Sequence, residues 1–220
     1  MSIIKLNPAF KDYLWGGTKL KENYGKKTDM DPVAESWELS VHPDGPSIVA
    51  SGEYEGLSFP EYLEKKGKGV LGTKGNTFEF FPILIKFIDA KQPLSIQVHP
   101  DNEYALRVEH EYGKTEMWYI LDCEPDSFLY FGVNKEITKE EFERRIQDNT
   151  LLDVLKQSQY IREMFSLLSL EQFTRLVLAF RFVRFNKIQI QHIVFMILVV
   201  LEKMVNLVNC IFKRRLMFQI

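Results

Sequence analysis

Leu94-Ser95-Ile96-Gln97-Val98-His99-Pro100-Asp101 is the most informative segment of this sequence. Its β-type pattern places Gln97 and His99 two residues apart, so both side chains point to the same face of a strand. A second β-type run begins at Glu116, within Lys114-Thr115-Glu116-Met117-Trp118-Tyr119-Ile120-Leu121. If the two strands share a sheet, an amide oxygen, an imidazole nitrogen and a carboxylate converge, as in a catalytic zinc site with one open position. Spacing alone favours a simpler interpretation, in which His99 is a hydrogen-bonded, half-buried histidine and Glu116 is a charge at a strand end.

The composition is that of an ordinary globular protein. Of 220 residues, 45% are apolar and 26% are charged, which is typical of soluble domains. Cys123 and Cys210 are far apart and form no CxxC pattern, so a disulfide framework is not indicated and a reducing cytoplasm is the default expectation. The first residues lack the long apolar core of a signal peptide.

The chain up to about residue 155 has the pattern of a mainly β fold. Short apolar runs alternate with turn words such as Gly16-Gly17 and Asp44-Gly45-Pro46, and helix-start signals are few. Ser58 is predicted to cap one helix, and Thr138 is predicted to cap another that runs to about Gln147. Glu116–Cys123 and Ser127–Val133 read as a hairpin. Many short strands with few helices predict a double-sheet jelly roll.

Residues 156–220 have a different composition. They carry 10 basic and 3 acidic residues, a balance of +7, whereas residues 1–155 carry 18 and 27, a balance of −9. No glycine or proline follows Gly132. The most apolar run, Ile193–Leu201, is well short of the roughly 20 residues that a membrane helix needs. We expect this tail to be of uncertain, possibly helical structure, and the jelly roll to be incomplete without it.

Several words resemble the type I mannose-6-phosphate isomerases, a cupin family, and in particular their short bacterial branch. QPLSIQVHPD and GKTEMWYIL carry the resemblance, together with Tyr13–Gly17 and Glu35–Ser40. The match runs from about Lys5 to about Leu155 and implies a cupin-type jelly roll.

The resemblance implies an enzyme that interconverts mannose 6-phosphate and fructose 6-phosphate with one zinc ion. Gln97, His99 and Glu116 correspond to three of the family's four metal ligands. Lys114 corresponds to a lysine near the sugar phosphate or the proton path, and Ser95 is expected to face the phosphate. The partner is then a small sugar phosphate, with no nucleic acid. The oligomeric state does not follow from the sequence.

The tail can be interpreted as a sequence read out of frame. If each true codon joins the last base of one codon to the first two of the next, the residues from Arg162 onward permit GDVFFIEPGTIHAIG, and those between Phe185 and Ile197 permit IQQNSNTTYRVYD. Both words resemble the missing half of the same family. The family's fourth ligand, a histidine, then falls at Phe173/Thr174, and an active-site arginine falls at Ile193/Val194.

We therefore predict that residues 1–155 are the N-terminal part of a jelly-roll isomerase domain and that residues 156–220 are an out-of-frame basic tail. The slip lies near Leu155–Gln157, and this chain is expected to lack the fourth zinc ligand and to be inactive or impaired. The alternative is a non-catalytic sugar-binding cupin module whose basic tail, with Lys213-Arg214-Arg215, associates with membranes.

Overall fold

The structure, a computed structural model, describes residues 3–73, 75, 78, 81–98, 103, 107–108, 115–168, 173–177 and 180–187. Met1–Ile188 form one compact unit. Gln189–Ile220 form a second unit, which lies outside the described residues.

The described residues form mostly strands. In chain order the strands are β1 (Leu6–Asn7), β2 (Ala9–Lys11), β3 (Glu35–Leu39), β4 (Ile48–Val49), β5 (Ile83–Ala90), β6 (Gln97–Val98), β7 (Thr115–Cys123), β8 (Phe128–Val133), β9 (Leu155–Gln159), β10 (Phe165–Leu168), β11 (Phe173–Val177) and β12 (Phe180–Lys187). The α-helices are α1 (Lys19–Glu22), α2 (Phe59–Lys66) and α3 (Lys139–Gln147), and single 3-10 turns cover Lys68–Leu71 and Leu151–Val154. No helix of these described parts is long and apolar enough to cross a membrane.

Two sheets form the body of the fold. One has six strands in the order β10-β7-β12-β5-β3-β2, and the other has four in the order β6-β11-β8-β9, while β1 pairs with β4 in a separate ribbon. Ile88, Trp118 and Ile120 of the six-stranded sheet share one buried cluster with Leu129 of the four-stranded sheet. This common core between two packed sheets confirms the prediction of a mainly β, double-sheet jelly roll.

The helix starts follow the local sequence. The Ser58 hydroxyl accepts a hydrogen bond from the backbone N–H of Glu61, whose side chain accepts in return from the Ser58 backbone, so a full capping box begins α2. The Thr138 side chain accepts from the backbone N–H of Glu141, and α3 ends at Gln147. Both predicted helices are confirmed.

The regular secondary structure of the tail up to Lys187 consists of the strands β9 to β12 where the structure describes it. The helical alternative is therefore wrong for this part. β12 lies between β5 and β7 and pairs with both along its length. Its sequence, Phe-Arg-Phe-Val-Arg-Phe-Asn-Lys, is rich in residues that favour strands. The sequence did not reveal this strand because the tail lacks the glycine and proline turns that mark strand ends. Hydrogen bonding to β5 on one side and β7 on the other stabilises the strand in the sheet.

The predicted hairpin of β7 and β8 is also wrong. β7 pairs with β10 and β12, whereas β8 pairs with β9 and β11. The turn at 124–126 therefore carries the chain from one sheet to the other. Ile120 and Leu129, on either side of this turn, then face each other in the core instead of lying side by side in one sheet.

Candidate functional site

Gln97 and Glu116, two of the predicted ligands, lie in different sheets. Gln97 is in β6 of the four-stranded sheet and Glu116 is in β7 of the six-stranded sheet. Their strands do not share a sheet, so the condition set for their convergence is not met in that form, because each strand pairs with a segment of the tail. β6 pairs with β11, and β7 pairs with β10 and β12.

The register nevertheless places both residues on the inner faces of the sandwich. Gln97 lies opposite Thr174, and Thr174 lies opposite Phe131. Residues directly opposite each other share a face of a sheet, and Phe131 packs against the central core. Glu116 shares its face with the core residue Trp118, two positions further along β7. The two predicted ligands thus lie on the surfaces by which the two sheets face each other.

Glu116 is almost fully buried and is held by two neighbours. It is 1% exposed, and its Oε2 accepts a hydrogen bond of 2.8 Å from the indole N–H of Trp118. The Nε of Arg184, in β12, lies 3.3 Å from the same oxygen in an ion pair. The Arg184 guanidinium also lies over the Trp118 ring, 4.9 Å from its centroid. The carboxylate is therefore in a dry environment with a counter-charge beside it.

A second buried carboxylate has the same surroundings. Glu35, in β3, accepts a 2.6 Å hydrogen bond from the indole N–H of Trp37. The ammonium of Lys86, in β5, lies 3.0 Å and 3.2 Å from its two oxygens and 5.2 Å from the Trp37 ring centroid. The sequence did not predict the Glu35–Lys86 ion pair. The repeated Glu-x-Trp motif at 35–37 and 116–118 could have indicated the hydrogen bond between carboxylate and indole.

The two pairs belong to one row of residues across the six-stranded sheet. Trp37 lies opposite Lys86, Lys86 opposite Arg184, and Arg184 opposite Trp118. All four therefore share one face of the sheet. Two cations stand side by side at the centre of the row, and each is paired with its own carboxylate, so the buried charges balance.

Two aromatic residues, Tyr13 and Trp15, follow β2 in the chain, and the Tyr13 hydroxyl is close enough to Glu35 to feel its charge. The rings of Tyr13 and Trp15 stack with their centroids 5.6 Å apart, and Trp15 packs against the central core. Burial raises the pKa of the Tyr13 hydroxyl, and the negative charges of Glu35 and Asp44 raise it further. Trp37 is 6% exposed, so its side chain is part of the packed interior.

Of the other predicted site residues, the structure describes only Ser95. Ser95 is exposed and directly follows the buried Leu94. His99 and Lys114 lie outside the described residues, as does the tail beyond Lys187 with Ile193 and Val194. Within the described parts of the chain no group of three or more His, Cys, Asp or Glu side chains could hold a metal ion. Because His99 is not among them, the predicted ligand set stays a prediction.

Comparisons with known proteins identify relatives of one kind. A family model described as phosphomannose isomerase type I, catalytic domain, matches residues 3–128. Mannose-6-phosphate isomerase ManA of Bacillus subtilis is 39% identical over 141 residues, which are 64% of this chain and 43% of that protein. A crystal structure of mannose 6-phosphate isomerase from Bacillus subtilis aligns with a TM-score of 0.78 and 32% identity, covering 85% of this chain and 59% of that one.

A structure of a zinc-bound mannose 6-phosphate isomerase shares the fold, with a TM-score of 0.65 and 18% identity over 85% of this chain and 68% of that one. The chain spans between 41% and 44% of the length of the first curated relatives that it matches. Sequence similarity to these relatives covers 60% to 64% of the chain, whereas the structural similarity covers 85%.

Proposed function

Since the chain belongs to the type I phosphomannose isomerase family, we propose that the protein encoded by the uninterrupted reading frame interconverts mannose 6-phosphate and fructose 6-phosphate with zinc. We propose further that this chain does not catalyse that reaction. The observation that carries the proposal is the placement of Gln97 and Glu116 on facing inner surfaces of the sandwich. The substrate is a small sugar phosphate. A cytoplasmic location is consistent with two cysteines that are far apart in the sequence and form no CxxC pattern.

The reaction moves a proton between C1 and C2 of the open-chain sugar, and zinc supplies the polarisation of the sugar oxygens when it is bound. We propose that Lys114 contacts the sugar phosphate or takes part in the proton transfer, and that Ser95 contacts the phosphate. The exposure of Ser95, two residues before Gln97, is compatible with contact to a ligand at the rim of the sandwich.

The residues of this chain do not fit a complete zinc site. Glu116 is already paired with Arg184 at 3.3 Å. The positions at which the family has its fourth ligand hold Phe173 and Thr174, and neither a phenyl ring nor a threonine hydroxyl belongs to the usual zinc ligands. A zinc ion bound to Glu116 would therefore lie next to a buried cation that repels it and would lack the fourth protein ligand of the family. The loss of turnover in this chain follows from these two features.

We attribute the missing ligand to a shift of the reading frame near Leu155–Gln157. Two observations support this origin. Sequence similarity to the relatives covers less of the chain than structural similarity does. In addition, Phe173 and Thr174 lie opposite Val98 and Gln97 in the sheet, so a histidine restored at this point would stand beside a predicted ligand. The shift would have changed the residues of the tail without changing the place of its strands.

The test compares this 220-residue chain with the protein made from a gene corrected by one base near codons 155–157. Conversion of mannose 6-phosphate is followed with zinc and after chelation. We expect turnover from the corrected protein, its loss on chelation, and no turnover from this chain. Full activity of this chain would overturn the claim of damage. A corrected protein that folds, binds zinc and leaves mannose 6-phosphate unchanged would overturn the proposed activity.

A further inference from the structure

The surroundings of Arg184 suggest what takes the place of a metal in this chain. Its side chain is 4% exposed, its Nε lies 3.3 Å from Oε2 of Glu116, and its guanidinium covers the Trp118 ring. Trp118 donates its indole N–H to the same carboxylate oxygen. A cation and a hydrogen-bond donor, both buried, are therefore directed at one oxygen of a predicted metal ligand.

The arrangement at Glu35 shows that such a group is complete without a metal. There the order is the same, since a carboxylate is followed two residues later by a tryptophan, and a cation on the next strand lies opposite that tryptophan. The Lys86 ammonium neutralises Glu35 from 3.0 Å, and Trp37 donates to the same carboxylate. No predicted metal ligand takes part in this second group. The Glu116 group follows the same order of residues, although Arg184 and Trp118 both contact Oε2 of Glu116, whereas Lys86 reaches both oxygens of Glu35.

Zinc and a guanidinium compete for a buried carboxylate. Both need its negative charge, and two cations at one carboxylate repel each other strongly where water is excluded. To admit the metal, Arg184 would have to leave a dry position between β5 and β7, and a buried cation without its counter-ion is costly. Metal binding by this chain is therefore opposed by its own fold, in addition to the missing fourth ligand.

We propose that Arg184 serves as a built-in counter-ion that replaces the metal at Glu116, so that this chain folds independently of zinc and is closed to divalent cations. The proposal rests on the proposed function, because that function makes Glu116 a metal ligand. It predicts that removing the arginine makes the site receptive to metal.

The experiment measures thermal unfolding of this chain and of Arg184→Met with zinc or with a chelator, and titrates both proteins with cobalt(II) while recording visible absorption. Lys86→Met is the matched control, because it removes a cation of the same row that faces no predicted metal ligand. We expect the unaltered chain to unfold at the same temperature with and without zinc and to show no cobalt band.

Arg184→Met should lose on the order of 10 °C in the chelator, since it leaves a buried carboxylate without its cation. It should recover about 5–10 °C with zinc at a hundredfold excess over Kd and should develop a cobalt band. Lys86→Met should lose a similar amount and recover nothing with zinc. A double variant, Glu116→Gln with Arg184→Met, removes both charges, so it tests whether the metal response requires the carboxylate.

Two results overturn the proposal. One is a zinc-dependent rise in the unfolding temperature of the unaltered chain, a measurement that needs no variant to fold. The other is a folded Arg184→Met protein that responds to neither metal. If this second result appears while the frame-corrected protein binds zinc and turns over, the counter-ion role is wrong and the proposed function stands. If the corrected protein also fails, the proposed function is lost as well.

Discussion

Replacing Lys86 by methionine tests the energetic importance of the buried charges. The Lys86 and Glu35 side chains are 8% and 7% exposed, and the ammonium lies 3.0 Å and 3.2 Å from the two carboxylate oxygens. Without the lysine, the carboxylate keeps the hydrogen bond from the indole N–H of Trp37 but loses its counter-charge in this row. Breaking a buried pair on one side costs about 3–5 kcal/mol, which corresponds to a fall of roughly 6–20 °C in Tm for a chain of this size.

The assay is urea unfolding of four proteins: the unaltered chain, Lys86→Met, Glu35→Gln and the double variant. Each single variant breaks the buried pair on one side and should lose about 3–5 kcal/mol, whereas the double variant leaves no buried charge unpaired and should lose less than about 2 kcal/mol. The cycle should therefore show a coupling of at least about 4 kcal/mol. Lys19→Met is the control, since the side chains of its pair with Glu22 are 43% and 50% exposed, so that solvent screens the pair and its loss should change stability much less than the loss of the buried pair. A Lys86→Met protein within about 1 kcal/mol of the unaltered chain, or a double variant as unstable as the single one, would refute this reasoning.

Three further predictions concern local features. Ser58→Ala should cost about 1 kcal/mol in urea unfolding because it removes the cap of α2. The Ser58 hydrogen bonds also hold the pKa of Glu61 below its usual range, so the carboxylate's contribution is present above its unfolded pKa and lost as pH falls through the folded one; unchanged pH dependence in Glu61→Gln would contradict this. Gly16→Ala should cost about 1–3 kcal/mol, since an added Cβ would stand 2.7 Å from backbone atoms of Ala34, and a stable variant would show that the loop can move. Trp118→Phe should cost about 1.5–3 kcal/mol through its lost hydrogen bond to a carboxylate, and a loss below about 0.5 kcal/mol in thermal unfolding would argue against that bond.

Features that depend on neighbouring residues could be predicted from the sequence. The caps at Ser58 and Thr138 require only residues three positions apart, and the mainly β class follows from many short runs between turns. Both are confirmed. The partners of each strand could not be predicted in this way, because β7 and β8 look like a hairpin as long as β10 to β12 are not recognised as strands.

The candidate site shows the same division. Gln97 and Glu116 could be singled out because each lies in a short sequence motif, and the fold brings both to inner faces of the two sheets. The Glu35–Lys86 pair was not predicted, since its members are 51 residues apart and meet only through sheet pairing. Arg184 could not be foreseen as the neighbour of Glu116, because its segment lies in a tail without the glycine and proline turns that mark where strands begin and end. Long-range pairing decides these contacts, and no local pattern encodes it.

The interrupted reading frame is tested most directly by an independent nucleotide sequence of the gene across codons 150–165. We predict that one base appears or disappears there, near Leu155–Gln157, and that the corrected frame encodes GTIHAIG with its histidine at the position of Phe173/Thr174. The prediction of an interrupted frame would be contradicted if the nucleotide sequence encodes the present tail without any shift and the protein it encodes isomerises mannose 6-phosphate at full rate.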